Sequence, residues 1–446
     1  MLAEILPRPA PVAPAEYRQR RRVLMAQLPL GAAVLLPGAS QVTRSRDSEY
    51  AFRQDSDFYY LTGCTEPDAL LVLVPGRDAG ESILFCQDRD PLLEAWTGRR
   101  LGAEGALKVH EVDQAFENSE RSSRLRELLQ GCETLYLPLE NGEAMALAET
   151  QFAHAQANRR RVGTAVRGFV DVASLIHEQR LVKSEAELAL MRHAAAISAR
   201  AHRRAMQAVR PGMHEYQLQA ELEHEFVYQG GSGPAYSTIV GSGENACVLH
   251  YIENNSPLQN GDLVLIDAGA EFELYAGDIT RTFPVTGRFN DAQRALYEVV
   301  LRAQEQAVQA VRPGISLADI HAGVVQELTA GLIELGLLEG ELEARIQDEA
   351  YRRFYLHSTS HWLGLDVHDV GTYRLDADTP RLLAPGMVVT VEPGLYLPDE
   401  SDIPQEFRGM GIRIEDDVVV TSTGNEVLTS AVPKQVAEIE ALMAKK

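Results

Sequence analysis

Residues 357–371 read HSTSHWLGLDVHDVG, and His357, His361 and His368 in this stretch are three of the chain's twelve histidines. Imidazoles grouped this closely among apolar residues can hold a metal, move protons or pack as half-polar side chains, and the stretch alone leaves all three open. On a regular strand His357 and His361 share a face and His368 takes the other, unless Gly364 allows a bend that turns His368 back. Four acids stand in similarly apolar surroundings. Asp267 ends LVLID (263–267) and Asp278 lies in YAGDITRTFPV (275–285). Glu392 ends VVTVE (388–392) and Glu415 lies in GIRIEDDVVV (411–420).

A carboxylate on an apolar strand is costly to bury without compensation. One such acid reads equally well as the cap of a following turn; four unrelated caps are a poorer explanation. Four carboxylates brought together repel strongly unless protons or metals intervene. Two divalent ions carry +4 against their −4. An oxygen-rich set with one imidazole suits Mn²⁺ or another hard-to-borderline ion better than a structural zinc. The histidine stretch offers that imidazole.

An internal repeat accounts for acids coming in pairs. AMQAVRPG (205–212) recurs as AVQAVRPG (307–314), each ending one helix before another. NGDLVLIDAG (260–269) matches PGMVVTVEPG (385–394), which aligns Asp267 with Glu392. Each match is weak alone, but their shared order predicts a duplicated half-domain whose strands deliver equivalent carboxylates to one central place.

In this order and context, Asp267, Asp278, His361, Glu392 and Glu415 resemble the ligand set of the dinuclear metallopeptidases of the pita-bread fold, which has two pseudo-symmetric halves. HWLGLDVHDVG, TIVGSGENACVLHY (238–251) and FRQDSDFYYLTG (52–63) are most similar to the aminopeptidase P (Xaa-Pro aminopeptidase) family, over nearly the whole chain. Ser358 departs from the Gly of many relatives, and Asp55 and Tyr59 are mild changes; every ligand position is kept. The resemblance implies an exopeptidase that removes the N-terminal residue from peptides with proline second. It makes Asp278 and Glu415 bridging ligands, gives Asp267 to one ion, and gives His361 with Glu392 to the other. A water between two cations should lose a proton near neutral pH and become the nucleophile, with Glu392 accepting the proton.

The family also uses histidines matching His250, His357 and His368 around the substrate, and it implies a proline pocket formed with His357, Tyr396 and Arg413. Arg413 shares strand parity with Glu415 and would hold carboxylates and guide protons. Trp96 matches an aromatic contributed by a neighbouring subunit, which implies a homo-oligomer, a tetramer by resemblance; ordinary packing remains the other reading of Trp96 and of Tyr396. Prolidase, with the same metal set but dipeptide substrates, and an inactive recognition module are the competing functions. Creatinase lacks the ligands present here.

The elements that must carry these residues divide the chain. AAVLLPG (32–38), ALLVLVPG (69–76), SILFCQD (82–88) and TLYLPLE (134–140) read as strands, and PAEYRQRRRVLMAQL (14–28) and SSRLRELLQG (122–131) as helices, giving a mixed α/β domain over 1–178. Around Arg159, Arg160 and Arg161 the pattern loosens into an expected solvated connection. Ser184 and Glu187 then form a capping box opening a helix whose stripe is Leu188, Met191, Ala195 and Ala199, so the catalytic domain is expected over 179–446. The whole is α/β (α+β).

Composition narrows the partners. Lys and Arg total 42 against 64 Asp and Glu, a net charge of −22, which disfavours the polyanionic surfaces of nucleic acid and membrane. No run of about 18 apolar residues appears, and the N-terminus lacks a continuous apolar segment after its charges, so neither a span nor a signal peptide is expected. Cys64, Cys86, Cys132 and Cys247 are widely spaced with no C-x-x-C, which argues against zinc ribbons and disulfide scaffolds and for a cytoplasmic protein.

Overall fold

Apolar runs too continuous to leave one face in water build the sheet of the first unit. In this computed structural model, which describes residues 5–162 and 165–445, its six strands lie in the order Gln114–Glu117, Ser82–Cys86, Leu70–Leu73, Ala32–Pro37, Thr134–Leu137 and Gly168–Asp171. Ala32–Pro37 pairs antiparallel with Leu70–Leu73 and parallel with Thr134–Leu137. Every residue of the three strands at 32–37, 70–73 and 82–86 is buried. The helices Pro14–Met25 and Arg121–Leu128 form where the sequence predicts them.

The expected connection around Arg159–Arg161 is instead the last turn of a 21-residue helix, Gly142–Val162. Its three arginines are exposed, as expected, and their charge favours the carbonyl end of a helix dipole. Gly163 and Thr164, also within that expected connection, lie outside the described residues.

The chain parts after Arg180 rather than after residue 178, and among the described residues 5–11 group with 181–445. Two contacts give the reason. Arg180 Nη1 donates to Asp57 Oδ1 at 2.7 Å, which keeps the helix Ala173–Arg180 in the first unit, and Leu6 N donates to Gln229 Oε1 at 2.9 Å in the second.

The second unit is built twice from one plan. Ser184 and Glu187 cap the helix Glu185–Ala208, with Leu188, Met191, Ala195 and Ala199 buried, and Glu215–Tyr228 follows. In the other half Asn290 and Gln293 cap Asp291–Ala310, and Ser316 and Asp319 cap Leu317–Glu334. Gly212 and Gly314 end the two repeated segments at φ +86° and +85°. Their N–H groups donate to Leu258 O and Leu383 O, each five residues before the next core strand. Each half then supplies a three-stranded antiparallel sheet: Ile239–Ser242, Leu263–Asp267 and Thr280–Pro284 in one, Val388–Val391, Asp416–Val420 and Asn425–Val427 in the other. A two-stranded ribbon pairs Gly394–Leu397 with Met410–Arg413.

Candidate metal centre and active site

Strand register brings the acids together. Asp267 is the last residue of its strand and pairs with Thr280, two residues after Asp278; Val391, next to Glu392, pairs with Asp416, next to Glu415. Asp278 and Glu415 therefore stand just before their strands rather than inside them, which corrects the strand placement expected from sequence. Ending the ladder there frees these side chains from strict up-down alternation and lets both turn into the same space.

The 357–371 stretch is likewise not a strand: it is irregular, with one isolated bridge from Trp362 to Val389. Asp369 N donates to Trp362 O at 2.9 Å and closes a bend around Gly364. A Cβ on Gly364 would lie 2.2 Å from Asp369 Oδ2, so glycine is required by close approach. The bend stacks His368 edge-on against His361, ring centroids 4.4 Å apart. The Lys183–Asp369 ion pair, buried at 2.8 Å, fastens it from below.

Asp278, His361 and Glu415 each offer a ligating atom within 4.8 Å of the others. His361 Nδ1 points at Trp362 O (2.9 Å), so it donates there and leaves Nε2 facing Asp278 and Glu392, each at 3.5 Å. Glu415 Oε2 accepts from Thr280 Oγ1 at 2.6 Å. Under Glu415, the fully buried Arg281 donates to its carbonyl and to Asp416, which also accepts from Lys434.

Burial and like charges set the electrostatics of this cluster. Burial pushes the Asp278 carboxyl up, with the Asp267 charge adding and His361 opposing. Burial and the charges of Asp278 and Glu392 push Glu415 far up. Burial raises Glu392 to about 7 against the pull of His361 and Arg413. Burial alone would lower the His361 imidazole, but the hydrogen bond to Asp278 and the charge of Glu392 outweigh it and raise it to about 9. Buried carboxylates this close to one another favour a compensating positive charge among them. Divalent cations would supply that compensation with coordination suited to four carboxylates and one imidazole, so the donor set fits the expected metal pair.

These residues floor a cavity of about 910 Å³, within the usual range for small-ligand sites, lined by second-unit residues including Asp267, Asp278, His361, Glu392 and Glu415. His250, His357, His368 and Arg413 also line it. Tyr396 lies behind the wall, 3 % exposed, its oxygen 2.8 Å from both His357 Nε2 and Arg413 Nη1. Burial and the Arg413 charge lower His357 to about 4, so it is a neutral imidazole at pH 7. Arg413 also donates to Asp267 Oδ2 (2.6 Å) and Thr280 Oγ1 (3.1 Å). Trp96 belongs to the first unit, on the helix Pro91–Thr97, and is 85 % exposed.

Sequence reasoning missed several contributors. The Tyr236 hydroxyl lies 2.6 Å from Asp267 Oδ1 and 2.5 Å from Asp278 Oδ1. Nothing linear marks it, since its partners are 31 and 42 residues away. His321 lines the cavity from the helix Leu317–Glu334, with Nδ1 2.8 Å from Thr359 Oγ1. Asp417 Oδ2 accepts from Asp278 N at 3.0 Å. Thr280, the first residue of its strand, accepts from Arg413 Nε at 3.1 Å and donates to Glu415 Oε2, two further contacts that sequence alone did not mark.

Comparison with known proteins agrees with this architecture. Residues 189–422 match the model of metallopeptidase family M24, and residues 17–136 that of the aminopeptidase P N-terminal domain. The chain is 48 % identical to the Xaa-Pro aminopeptidase of Escherichia coli over 96 % of its length and 97 % of that protein's. Identity to the Xaa-Pro aminopeptidase of Haemophilus influenzae is 44 %, with the same coverage. The solved Pseudomonas aeruginosa aminopeptidase PepP superposes with a TM-score of 0.96 at 48 % identity, covering 98 % of this chain and 99 % of that one. Zinc-substituted E. coli aminopeptidase P in complex with product gives 0.95 at 47 %, with the same coverage. The chain belongs to metallopeptidase family M24, with an aminopeptidase P N-terminal domain ahead of the catalytic one.

Proposed function

We propose that this protein is an Xaa-Pro aminopeptidase, releasing the first residue of peptides whose second residue is proline. The observation that carries the reading is the convergence of Asp267, Asp278, His361, Glu392 and Glu415 on the floor of one peptide-sized cavity. Asp267 would serve one divalent ion, His361 and Glu392 the other, and Asp278 and Glu415 both; Mn²⁺ is the ion such a set suits. When bound, the ions would supply Lewis acidity and make a water in the cavity acidic enough to act as nucleophile near neutral pH.

The remaining steps belong to side chains. Glu392, which lines the cavity, would take the proton of the attacking water. The bond to proline is a tertiary amide with no N–H, and its ring nitrogen, like any departing amide nitrogen, must gain a proton as it leaves. His357, His368 and His250 line the cavity as carriers and as donors to the substrate carbonyl. His357, neutral and 2.8 Å from Tyr396, is suited to pass a proton without holding it. Arg413, tied to Asp267, Thr280 and Tyr396, fixes the wall that would receive the proline ring.

A second copy of the chain would bring Trp96 to the substrate, which makes a homo-oligomer, a tetramer by family resemblance, the working assembly. Among the described residues no helix is long and apolar enough to cross a membrane. The four cysteines are unpaired, as a cytoplasmic location suits. Hydrolysis of Gly-Pro-Ala with release of glycine, compared with Ala-Pro, tests the reading. Cleavage of the dipeptide alone would make the protein a prolidase, and cleavage of neither by metal-loaded protein would make it a binding module.

A further inference from the structure

His250 lines the cavity from a loop of the first half. It sits exposed on the loop between Ser242 and Leu263, a segment with no regular structure beyond the 3-10 turn Gly243–Cys247. A loop this long with an exposed catalytic side chain needs an anchor, and the anchor is a buried carboxylate.

Glu215, the first residue of the helix Glu215–Tyr228, has no exposed surface. Its Oε1 accepts from Ser242 N (2.8 Å) and Asn245 Nδ2 (3.0 Å). Its Oε2 accepts from Tyr251 O–H (2.9 Å) and Ser256 N (2.9 Å). Four donors on one buried carboxylate offset its desolvation, and they take hold of the loop at both ends and beside His250. Tyr251 transmits the hold. It is 8 % exposed and packs in a cluster with Ile239, Ala246, Leu265 and Tyr396, against which Leu249 also rests, so both neighbours of His250 are fixed. Asn254 adds a second tie: at φ +49° it bonds Val240 N, Gln219 Oε1 and Thr238 O. A non-glycine residue held in that region points to a loop shape determined by its surroundings.

We propose that Glu215 is a positioning residue for peptide hydrolysis, acting through Tyr251 to aim His250 at the substrate. The proposal rests on the reading of His250 as a substrate-binding histidine, and the test separates the two. Glu215→Gln keeps the side-chain shape but sets an amide N–H₂ against a backbone N–H of Ser242 or Ser256. A shift of about 1 Å at a catalytic group lowers rate by as much as about 10²-fold, so Glu215→Gln should lower kcat/KM for Gly-Pro-Ala by about 10–100-fold.

The experiment is a double-mutant cycle on metal-loaded protein: parent, Glu215→Gln, His250→Ala and the pair, with metal content and Tm recorded for each. The expected result is that Glu215→Gln costs less than about threefold once His250 is already alanine, with two ions per chain in all four proteins. Equal losses in both backgrounds would overturn the positioning role while leaving His250's role standing. Parental kcat/KM in His250→Ala would overturn the reading of His250, and the proposal with it. If Glu215→Gln does not fold, Tyr251→Phe runs the same cycle, with an expected loss of about fivefold that vanishes in the His250→Ala background.

Discussion

Replacing Tyr236 with phenylalanine removes one oxygen and tests whether the surroundings of the metal centre tune it. The hydroxyl lies within 2.6 Å of Asp267 Oδ1 and Asp278 Oδ1, and its single proton serves one carboxylate at a time. Burial and the nearby Asp267 and Asp278 charges push the phenol far above its ordinary pKa, so it remains a donor throughout the working pH range. Losing one hydrogen bond to a charged acceptor is worth about 1.5–3 kcal/mol. At about 1.4 kcal/mol per tenfold, that is about 10–150-fold in the equilibrium that depends on carboxylate orientation. Outer hydrogen-bond partners of metal ligands typically change metal affinity by about 10–100-fold, which agrees. Equilibrium dialysis of metal-stripped Tyr236→Phe against Mn²⁺ should therefore give a Kd raised about 10–100-fold, with Tm in chelator little changed. An affinity within twofold of the parent would refute the reasoning, because the hydroxyl would then not be orienting the ligands.

Three further outcomes follow from the same geometry. Asp278→Ala or Glu415→Ala takes a ligand from both ions, so metal analysis should find fewer than two per chain and peptide hydrolysis should be lost; two retained ions with near-parental turnover would refute the bridging roles. His361→Ala should lower metal occupancy, whereas His357→Ala and His368→Ala should keep both ions and lose about 10²–10⁴-fold in rate, checked by metal analysis beside kcat. In the first unit, burial would raise the Asp57 carboxyl, but the His177 hydrogen bond and the Arg180 charge outweigh it and lower it. A carboxyl lowered by folding contributes stability above its unfolded pKa of about 4 and loses it as pH falls below that. Asp57→Asn should thus cost about 1–3 kcal/mol at pH 7, a difference that shrinks in thermal melts toward pH 3.

How much of this was legible depended on whether the signal was local. Continuous runs such as AAVLLP became strands, and Ser184 with Glu187 formed the expected capping box, because turn and cap chemistry acts within a few residues. The repeat was legible because both halves use the same Pro-Gly turn at nearly the same φ. Parity misled where the ladder stops. Asp278, Glu415 and the whole 357–371 stretch lie off the strands, and Gly364's close contact with Asp369 sets the bend. Arg159–Arg161 looked like a connection because charge hides helical periodicity, yet a helix end tolerates three cations. Tyr236, His321 and Asp417 left no trace, since each acts on partners at least 31 positions away, where only the folded chain sets distance.

The most direct measurement is metal stoichiometry joined to Xaa-Pro hydrolysis. The purified protein is stripped with chelator, titrated with Mn²⁺, and assayed at each step for bound metal and for release of glycine from Gly-Pro-Ala. The account predicts no hydrolysis by stripped protein, activity that rises to its plateau at two ions per chain, and loss of that plateau in Glu415→Ala. Full hydrolysis by verified metal-free protein, or a plateau reached with no bound metal, would contradict it.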